Sequence, residues 1–427
     1  MKKFRPRGKS DLPKSAQFGR RRSPQSRPTG RTRTVEGTVS ASRAGFGFVH
    51  SPDMPESVFL PPREMTRLVH GDRVRVRAEQ GADQRWSGHV ETILERATAA
   101  FLATVSIRGR NATVQAADRK LGLYCTVPPA QLGGARDGDW VIVRVDKYPE
   151  EGRPGVARVL RVLDPDRPVT LATETAIARF GLPRDFSAAA LRDAQAHGTQ
   201  VAPEQVAART DLRALPLVTI DGEDARDFDD AVYAEKAGDG WRLVVAIADV
   251  SHYVREGSAL DDEARERGTS VYFPQRVVPM LPPALSDELC SLQPRVDRLC
   301  LVADMQVSKT GALKAQRFYP AVMRSAARLT YSLAFAALFE GRPEARRQIG
   351  PLTDRLLPLV DLYRALVKAR HRRGALDFDA PEAQFVISPA EKVTAIELPR
   401  RNDAHRLIEE CMVLANVAAA TELSKHR

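Results

Sequence analysis

The stretch LPLVTIDGEDARDFDDAVYAE (Leu215–Glu235) packs six carboxylates into the ten residues from Asp221 to Asp230, with Arg226 the one cation among them. Like charges about 4 Å apart repel by roughly 1 kcal/mol in water and about 4 kcal/mol at an effective dielectric near 20, so a folded cluster of this density calls for protons or a metal. The flanks place it. LPLVTI enters as an apolar, β-branched run, FDDAVYAE leaves as a strand-like one, and Gly238-Asp239-Gly240 turns the chain into WRLVVAIADV. The acids are therefore predicted at strand ends and on the loop between them. Asp221 sits at the end of one strand, with Asp227, Asp229 and Asp230 six, eight and nine residues on, and a folded-back loop can aim all four at one point. Oxygen donors at this density suit Mg²⁺ or Mn²⁺, which can position a water and neutralise a phosphodiester in transfer. No D-x-[DN]-x-[DN]-G register exists for a calcium loop. The competing reading is a solvated acidic loop.

Three further segments join this one in a specific pattern: AIADVSHYV (Ala246–Val254), RGTSVYFPQRVVPMLPPALSDELCSL (Arg267–Leu292) and RNDAHRLIEECMVLAN (Arg401–Asn416). Together with TIDGEDARDFDDAV (Thr219–Val232) they resemble the catalytic domain of the RNase II / RNase R exoribonucleases, with the wording closer to RNase R. The resemblance implies processive 3′-to-5′ hydrolysis of RNA to nucleoside 5′-monophosphates with Mg²⁺, Mn²⁺ being the alternative ion. It places the active-site aspartates on Asp221, Asp227, Asp229 and Asp230. Asp221, Asp227 and Asp230 are assigned to metal ligation and Asp229 to positioning the attacking water. Tyr272 matches the family's base-stacking aromatic, and Phe378, in GALDFDAPEAQFVI, is the candidate for the opposing stack. Without the resemblance, Tyr272 reads as a strand residue packed in a core.

The charge is informative once located. Of 65 Lys and Arg and 54 Asp and Glu, residues 1–34 hold twelve basic residues and one acid, so the net +11 lies in that segment and the rest balances. MKKFRPRGKS and FGRRRSPQSRPTGRTRT are rich in Arg, Pro, Gly and Ser and have no apolar period, the composition of a disordered basic arm that contacts phosphates without sequence choice. A solubility tail is the alternative. The four cysteines, Cys125, Cys290, Cys300 and Cys411, show no C-x-x-C spacing, so neither a disulfide framework nor a zinc site is expected. No stretch is apolar for long enough to cross a bilayer, and no apolar segment follows the basic start. The expectation is a soluble, cytoplasmic protein with no membrane partner.

Behind the arm lies an internal repeat. At an offset of 67 residues, Pro61, Pro62, Gly71, Asp72, Val74, Val76, Arg77 and Gly88 recur as Pro128, Pro129, Gly138, Asp139, Val141, Val143, Arg144 and Gly155. HGDRVRVRA and DGDWVIVRV alternate apolar and polar residues, and Gly and Pro punctuate short strands, which predicts two small antiparallel barrels of the OB or cold-shock type. In the first copy Phe46, Phe48 and Phe59 form a candidate stacking platform for single-stranded bases, with core packing as the alternative. The second copy lacks the aromatic pair and reads as a wall of an RNA channel.

Farther on, Thr330 is predicted to cap a helix YSLAFAALFE, and LTDRLLPLVDLYRALVKARHRRG runs at helical spacing to Gly374. Its terminal Lys368, Arg370, His371, Arg372 and Arg373 fit a helix C-terminus as well as an RNA patch. Asn402 or Asp403 starts a last helix bearing Leu407, Ile408, Met412 and Ala415, with Glu409 and Glu410 as candidate supporting acids.

The predicted organisation is multidomain: a basic arm over 1–35, antiparallel β-barrels over 36–97 and 98–165, and a mixed α+β ribonuclease (RNB) domain over 166–427. The family's catalytic domain continues past the position matching Arg427, through an arginine-bearing stretch and a further RNA-binding domain. The resemblance thus implies a fragment of a longer protein, a natural truncation being the alternative. Expected partners are single-stranded RNA 3′ ends and structured RNA with 3′ overhangs, then ribosomes or RNA-decay proteins, met by a monomer. The competing function is a non-catalytic RNA-binding or RNA-chaperone protein, and behind it a metal-dependent DNA nuclease.

Overall fold

The computed structural model describes residues 31–42, 44–150, 153–376, 383–398 and 401–426. Residues 1–30 of the basic arm and Phe378 lie outside the described residues. Of the described residues, those from 31 to 99, with 106–132 and those of 145–158, form one compact unit, and those from 159 onward, with 100–105 and 133–144, form the other.

The repeat becomes two closed five-stranded barrels. The first is built from β1 (Thr32–Ala41), β2 (Gly47–His50), β3 (Val58–Leu60), β4 (Arg73–Gln80) and β5 (Trp86–Glu95), closed in the order β1-β2-β3-β5-β4. The second uses β6 (Ala100–Arg108), β7 (Asn111–Ala116), β8 (Tyr124–Val127), β9 (Trp140–Lys147) and β10 (Gly155–Leu163), in the order β10-β8-β7-β6-β9. Because β1 starts at Thr32, residues 32–35 belong to the barrel and not to the arm as the sequence suggested. Val35, with 5% of its surface exposed, already faces the core.

The recurring residues have recurring jobs. Gly71 and Gly138 both hold a positive φ, +93° and +86°, and donate to the Val39 and Val105 carbonyls at 2.8 and 2.9 Å. A side chain would be strained there. The aspartate that follows accepts a backbone N–H three residues back: Asp72 from Val69 at 2.9 Å, Asp139 from Arg136 at 2.7 Å. Gly88 and Gly155 leave room for close neighbours, since a Cβ would meet the Val58 Cγ1 at 2.7 Å or the Cys125 Sγ at 2.8 Å.

The remainder is built on one seven-stranded sheet. It comprises β11 (Thr210–Asp211), β12 (Val218–Asp221), β13 (Asp230–Ala237) and β14 (Gly240–Ala248), then β17 (Asp297–Val307), β18 (Leu313–Arg324) and β19 (Ala327–Thr330); the short hairpin β15 (Val271–Phe273) and β16 (Arg276–Val278) lies between. The sheet order is β11-β18-β17-β14-β13-β12-β19. A second hairpin, β20 (Gln384–Ile387) and β21 (Val393–Glu397), stands apart from it.

Apolar side chains cover both faces of the sheet. Leu243 and Val245 of β14 pack with the helices Tyr331–Leu338, Leu352–Arg372 and Asp403–Lys425, whereas Val244 and Ala246 pack on the opposite side with Ala190, Leu260 and Leu285. This explains why WRLVVAIA reads as a continuous apolar run: a central strand buried on both faces has no polar side. The two-residue turn Gly238-Asp239 joins β13 to β14, with Ala237 opposite Gly240 and Gly238 at φ +59°.

Helix ends follow the predicted signals. Thr330 Oγ1 accepts from Leu333 N–H at 3.1 Å, and Asn402 Oδ1 accepts from Ala404 and His405 N–H at 3.0 and 3.3 Å. Pro358 is accommodated inside the Leu352–Arg372 helix.

Candidate active site

Strand pairing explains how the acid cluster is gathered. Val218 of β12 lies opposite Val232 of the antiparallel β13, and extending that register sets Asp221 opposite Asp229 and Ile220 opposite Asp230. On its other side β12 runs parallel to β19, with Asp221 opposite Thr330. Asp221 thus ends one strand, Asp230 begins the next, and Asp227 and Asp229 occupy the loop that turns between them.

That loop is held by its neighbours more than by itself. Arg328 Nη2 donates to the Gly222 and Glu223 carbonyls, each at 2.6 Å. Ser291 Oγ donates to the Arg226 carbonyl at 2.6 Å and accepts from Phe228 N–H at 3.1 Å. Leu292 N–H reaches the Phe228 carbonyl at 2.8 Å, and Ala248 N–H the Asp229 carbonyl at 2.9 Å. Asp221 Oδ1 accepts from Gly222 N–H at 2.7 Å.

Crowding and burial leave a clear electrostatic mark. Burial, reinforced by the charges of Asp227 and Asp221, pushes Asp229 up to about 6. Burial, then Asp221 and Asp229, does the same for Asp230, also to about 6. Asp221 is raised by burial against the opposing Gly222 N–H, with Asp227 adding to the rise. Asp230 sits in register with Val232 and Ala234, on the side of the Asp403–Lys425 helix, whose buried Cys411 is raised by burial and feels Asp230. Asp229 acts instead on Cys290, on the other side of the sheet.

Among the described residues, no group of three His, Cys, Asp or Glu forms a ready metal cage. The donor set still fits a hard divalent cation: every candidate ligand is a carboxylate oxygen, and Asp230 Oδ2 is buried with no hydrogen-bond partner. Asp230 opens β13 and Asp229 ends the loop before it, the first acting on Cys411 and the second on Cys290.

Tyr272, on β15, joins the cluster. The residue is 64% exposed, and its hydroxyl donates to Asp227 Oδ2 at 2.6 Å, which pushes the phenol up to about 12. A core role for this residue is thereby excluded. Two aromatic side chains that the sequence reading did not single out lie close by. Tyr331 is pushed up to about 12 by burial and then by Asp221 and Asp230, and its ring stacks on His405 at 3.9 Å and 18°.

A model of the RNB domain matches residues 209–427, just over half of the 427-residue chain. Ribonuclease R of Acidithiobacillus ferrooxidans is 40% identical over 348 residues, 81% of this chain and 79% of that protein. The chain belongs to the ribonuclease R family. Ribonuclease R of Escherichia coli (strain K12) is 43% identical over 394 residues, 92% of this chain and 48% of that protein. The chain therefore spans about half the length of the first curated relatives it matches. A Ribonuclease B OB domain model covers residues 37–93 and a cold shock domain model residues 114–187. Among solved structures, Mycoplasma genitalium RNase R in complex with ribose methylated single-stranded RNA superposes with a TM-score of 0.79 over 92% of this chain and 62% of that one, at 24% identity. Yeast Ssd1, a pseudonuclease, shares the fold at a TM-score of 0.56 and 16% identity, over 88% of this chain and 53% of its own.

The remaining residues singled out in this ribonuclease R family chain have distinct fates. Phe46, Phe48 and Phe59 form a trio with all three ring centroids 5.8 Å apart; Phe48 of β2 lies opposite Phe59 of β3. The flanking Gly47 and Val49 are buried, Phe48 is exposed and Phe46 and Phe59 are half-buried, so the trio lies outside the barrel core. Phe378 lies outside the described residues and its pairing with Tyr272 is not placed. Glu409 and Glu410 engage Arg370, and Glu409 also Arg401, so their ion pairs run to arginines. Arg370 and Arg372 of the basic helix end are likewise engaged, Arg372 with the Thr310 carbonyl at 2.5 Å. His252, in the segment AIADVSHYV, is bonded to Gln205 at 2.7 Å and packs edge-on against Tyr253. All four cysteines are buried and free, and among the described residues no helix is long and apolar enough to cross a membrane.

Proposed function

We propose that this chain carries the catalytic machinery of a hydrolytic 3′-to-5′ exoribonuclease that releases nucleoside 5′-monophosphates with Mg²⁺. The observation that carries the reading is the set of four aspartates at two facing strand ends and on the loop between them, two of them held near pKa 6, with the exposed Tyr272 bonded to one of them. A site that strains to keep its carboxylates ionised is primed for a cation. Asp221, Asp227 and Asp230 would hold it. When bound, a divalent ion supplies charge neutralisation at the phosphodiester and lowers the pKa of a coordinated water.

The chain's own residues do the rest. Asp229, with its raised pKa, accepts a proton from the attacking water at its carboxylate. The Tyr272 ring offers a face on which a 3′-terminal base can stack, and its hydroxyl restrains Asp227. The aromatic trio of the first barrel presents a second stacking surface, worth about 1–3 kcal/mol per base. Single-stranded RNA is accordingly the proposed substrate, in the cytoplasm.

One observation favours a second reading, a non-catalytic RNA-binding protein: the carboxylates do not form a closed cage, and the same fold occurs in a pseudonuclease. Incubating the protein, as this chain and as a chain extended to the length of its relatives, with 5′-labelled single-stranded RNA and DNA, with and without Mg²⁺, decides between them. Mg²⁺-dependent shortening of RNA alone, from the 3′ end, supports the nuclease. Binding without shortening in the extended chain refutes it, and cleavage of DNA refutes the choice of RNA.

A further inference from the structure

We propose that Ser291 is a positioning residue of the acidic site, fixing Asp227 where it can serve the cation. The inference rests on the reading of the aspartates just given. Its basis is geometric: the Ser291 hydroxyl bonds the backbone on both sides of one aspartate, donating to the carbonyl of Arg226 at 2.6 Å and accepting from the N–H of Phe228 at 3.1 Å. The main chain extends the clamp one residue further, where Leu292 N–H meets the Phe228 carbonyl at 2.8 Å. A hydroxyl is the smallest side-chain group that donates and accepts at once. No apolar residue of similar size can bridge these two peptide groups.

The clamp is itself anchored. Ser291 is wholly buried and follows the π-helical turn Ala284–Leu289. Arg298, only 5% exposed, donates Nε to the Ser291 carbonyl at 2.8 Å and Nη1 to the Asp297 carbonyl at 3.1 Å. Burying a guanidinium is costly, and this one directs its Nε at the peptide of the clamping residue.

Two devices thus hold Asp227, and they differ in kind. Tyr272 grips the carboxylate from an exposed hairpin, and Ser291 grips the backbone from the core. The hold on the main chain either side of Asp227 is therefore independent of the contact its carboxylate makes with the exposed ring. A ligand whose orienting partner is lost typically binds its metal 10–100-fold more weakly.

The test uses the 427-residue chain and two measurements that need no catalysis. Mn²⁺ affinity is read by electron paramagnetic resonance of the free ion without RNA, and exchange of the Phe228 amide proton is read in EDTA. Ser291→Ala is expected to weaken Mn²⁺ binding about 10-fold and to speed exchange at Phe228, with single-stranded RNA affinity unchanged. Thr353→Val removes another buried hydroxyl, one bonded to the Arg346 carbonyl at 3.3 Å, and should move neither measurement. Should Ser291→Ala not fold, Ser291→Cys, which keeps the shape and weakens both hydrogen bonds, carries the same expectations. Wild-type Mn²⁺ affinity in the folded variant overturns the proposal. If instead the wild-type chain binds no Mn²⁺, or Asp227→Asn binds it as tightly, the failure lies in the reading of the aspartates; the clamp then stands or falls on Phe228 exchange alone.

Discussion

Replacing Asp230 with asparagine should make the metal-free protein more stable at neutral pH and no more stable in acid. Asp230 opens β13 with Oδ2 buried and unpartnered, and burial with its acidic neighbours lifts its pKa from the ordinary 3.8 to about 6. A raised carboxylate favours the folded state while protonated. Its contribution is fully present below about pH 4 and is lost as pH rises through about 6. A shift of about two units corresponds to about 3 kcal/mol at 1.36 kcal/mol per unit; partial solvation and coupling to Asp221 and Asp229 reduce this to about 1–2 kcal/mol. Asparagine keeps the shape and never ionises. At pH 7.5 in EDTA, Asp230→Asn should therefore raise the melting temperature of the RNB transition by about 2–8 °C, at 2–4 °C per kcal/mol. At pH 4 wild type and variant should melt together. Adding millimolar Mg²⁺ should stabilise the wild type and leave the variant unmoved, so that the order narrows or reverses. A difference of the same size at both pH values would refute the electrostatic reasoning, as would a variant less stable at pH 7.5.

Three more expectations follow from the same geometry. In a chain extended to the length of its relatives, Asp229→Asn should lose about 4 kcal/mol or more of transition-state stabilisation, roughly 10³-fold in kcat, with RNA affinity nearly unchanged; single-turnover kinetics beside a binding titration would check it. Deleting residues 1–30, which carry ten basic residues and one acid and stop short of β1 at Thr32, should weaken RNA binding and flatten its salt dependence by roughly 0.7 log unit for each phosphate the segment had neutralised; equal slopes with and without the segment would remove it as a binding element. Phe48→Ala should cost about 1–3 kcal/mol in single-stranded RNA affinity with little change in melting temperature, because the ring lies outside the barrel core; a large loss of stability would mean the trio packs more than it binds.

Much of this protein was legible in its residues. The acids fall at strand ends because β-branched runs on either side can only extend, and the glycine turn after Ala237 can only reverse the chain. The 67-residue repeat announces two like modules, since the same glycines and aspartates meet the same backbone demands in each. The caps at Thr330 and Asn402 follow from local hydrogen bonding that needs no tertiary partner. Tertiary structure decided what local pattern cannot express. Whether Phe48 and Tyr272 pack inward or face solvent depends on which strands close beside them, and both turned outward. Glu409 and Glu410 met arginines, because Arg370 lies 39 and 40 residues earlier on a neighbouring helix. β1 reached back into the basic segment because Thr32 to Val35 found partners in β4, from Glu79 to Val76. Neither the role of Ser291, although it lies in a segment that carries the resemblance, nor that of Arg328 could be read from the sequence: each acts through backbone atoms of a loop 65 or 106 residues away, and a hydrogen bond to a main-chain atom leaves no trace in the residue at the other end. Periodicity and residue chemistry fix what a segment is, and long-range closure fixes what it touches.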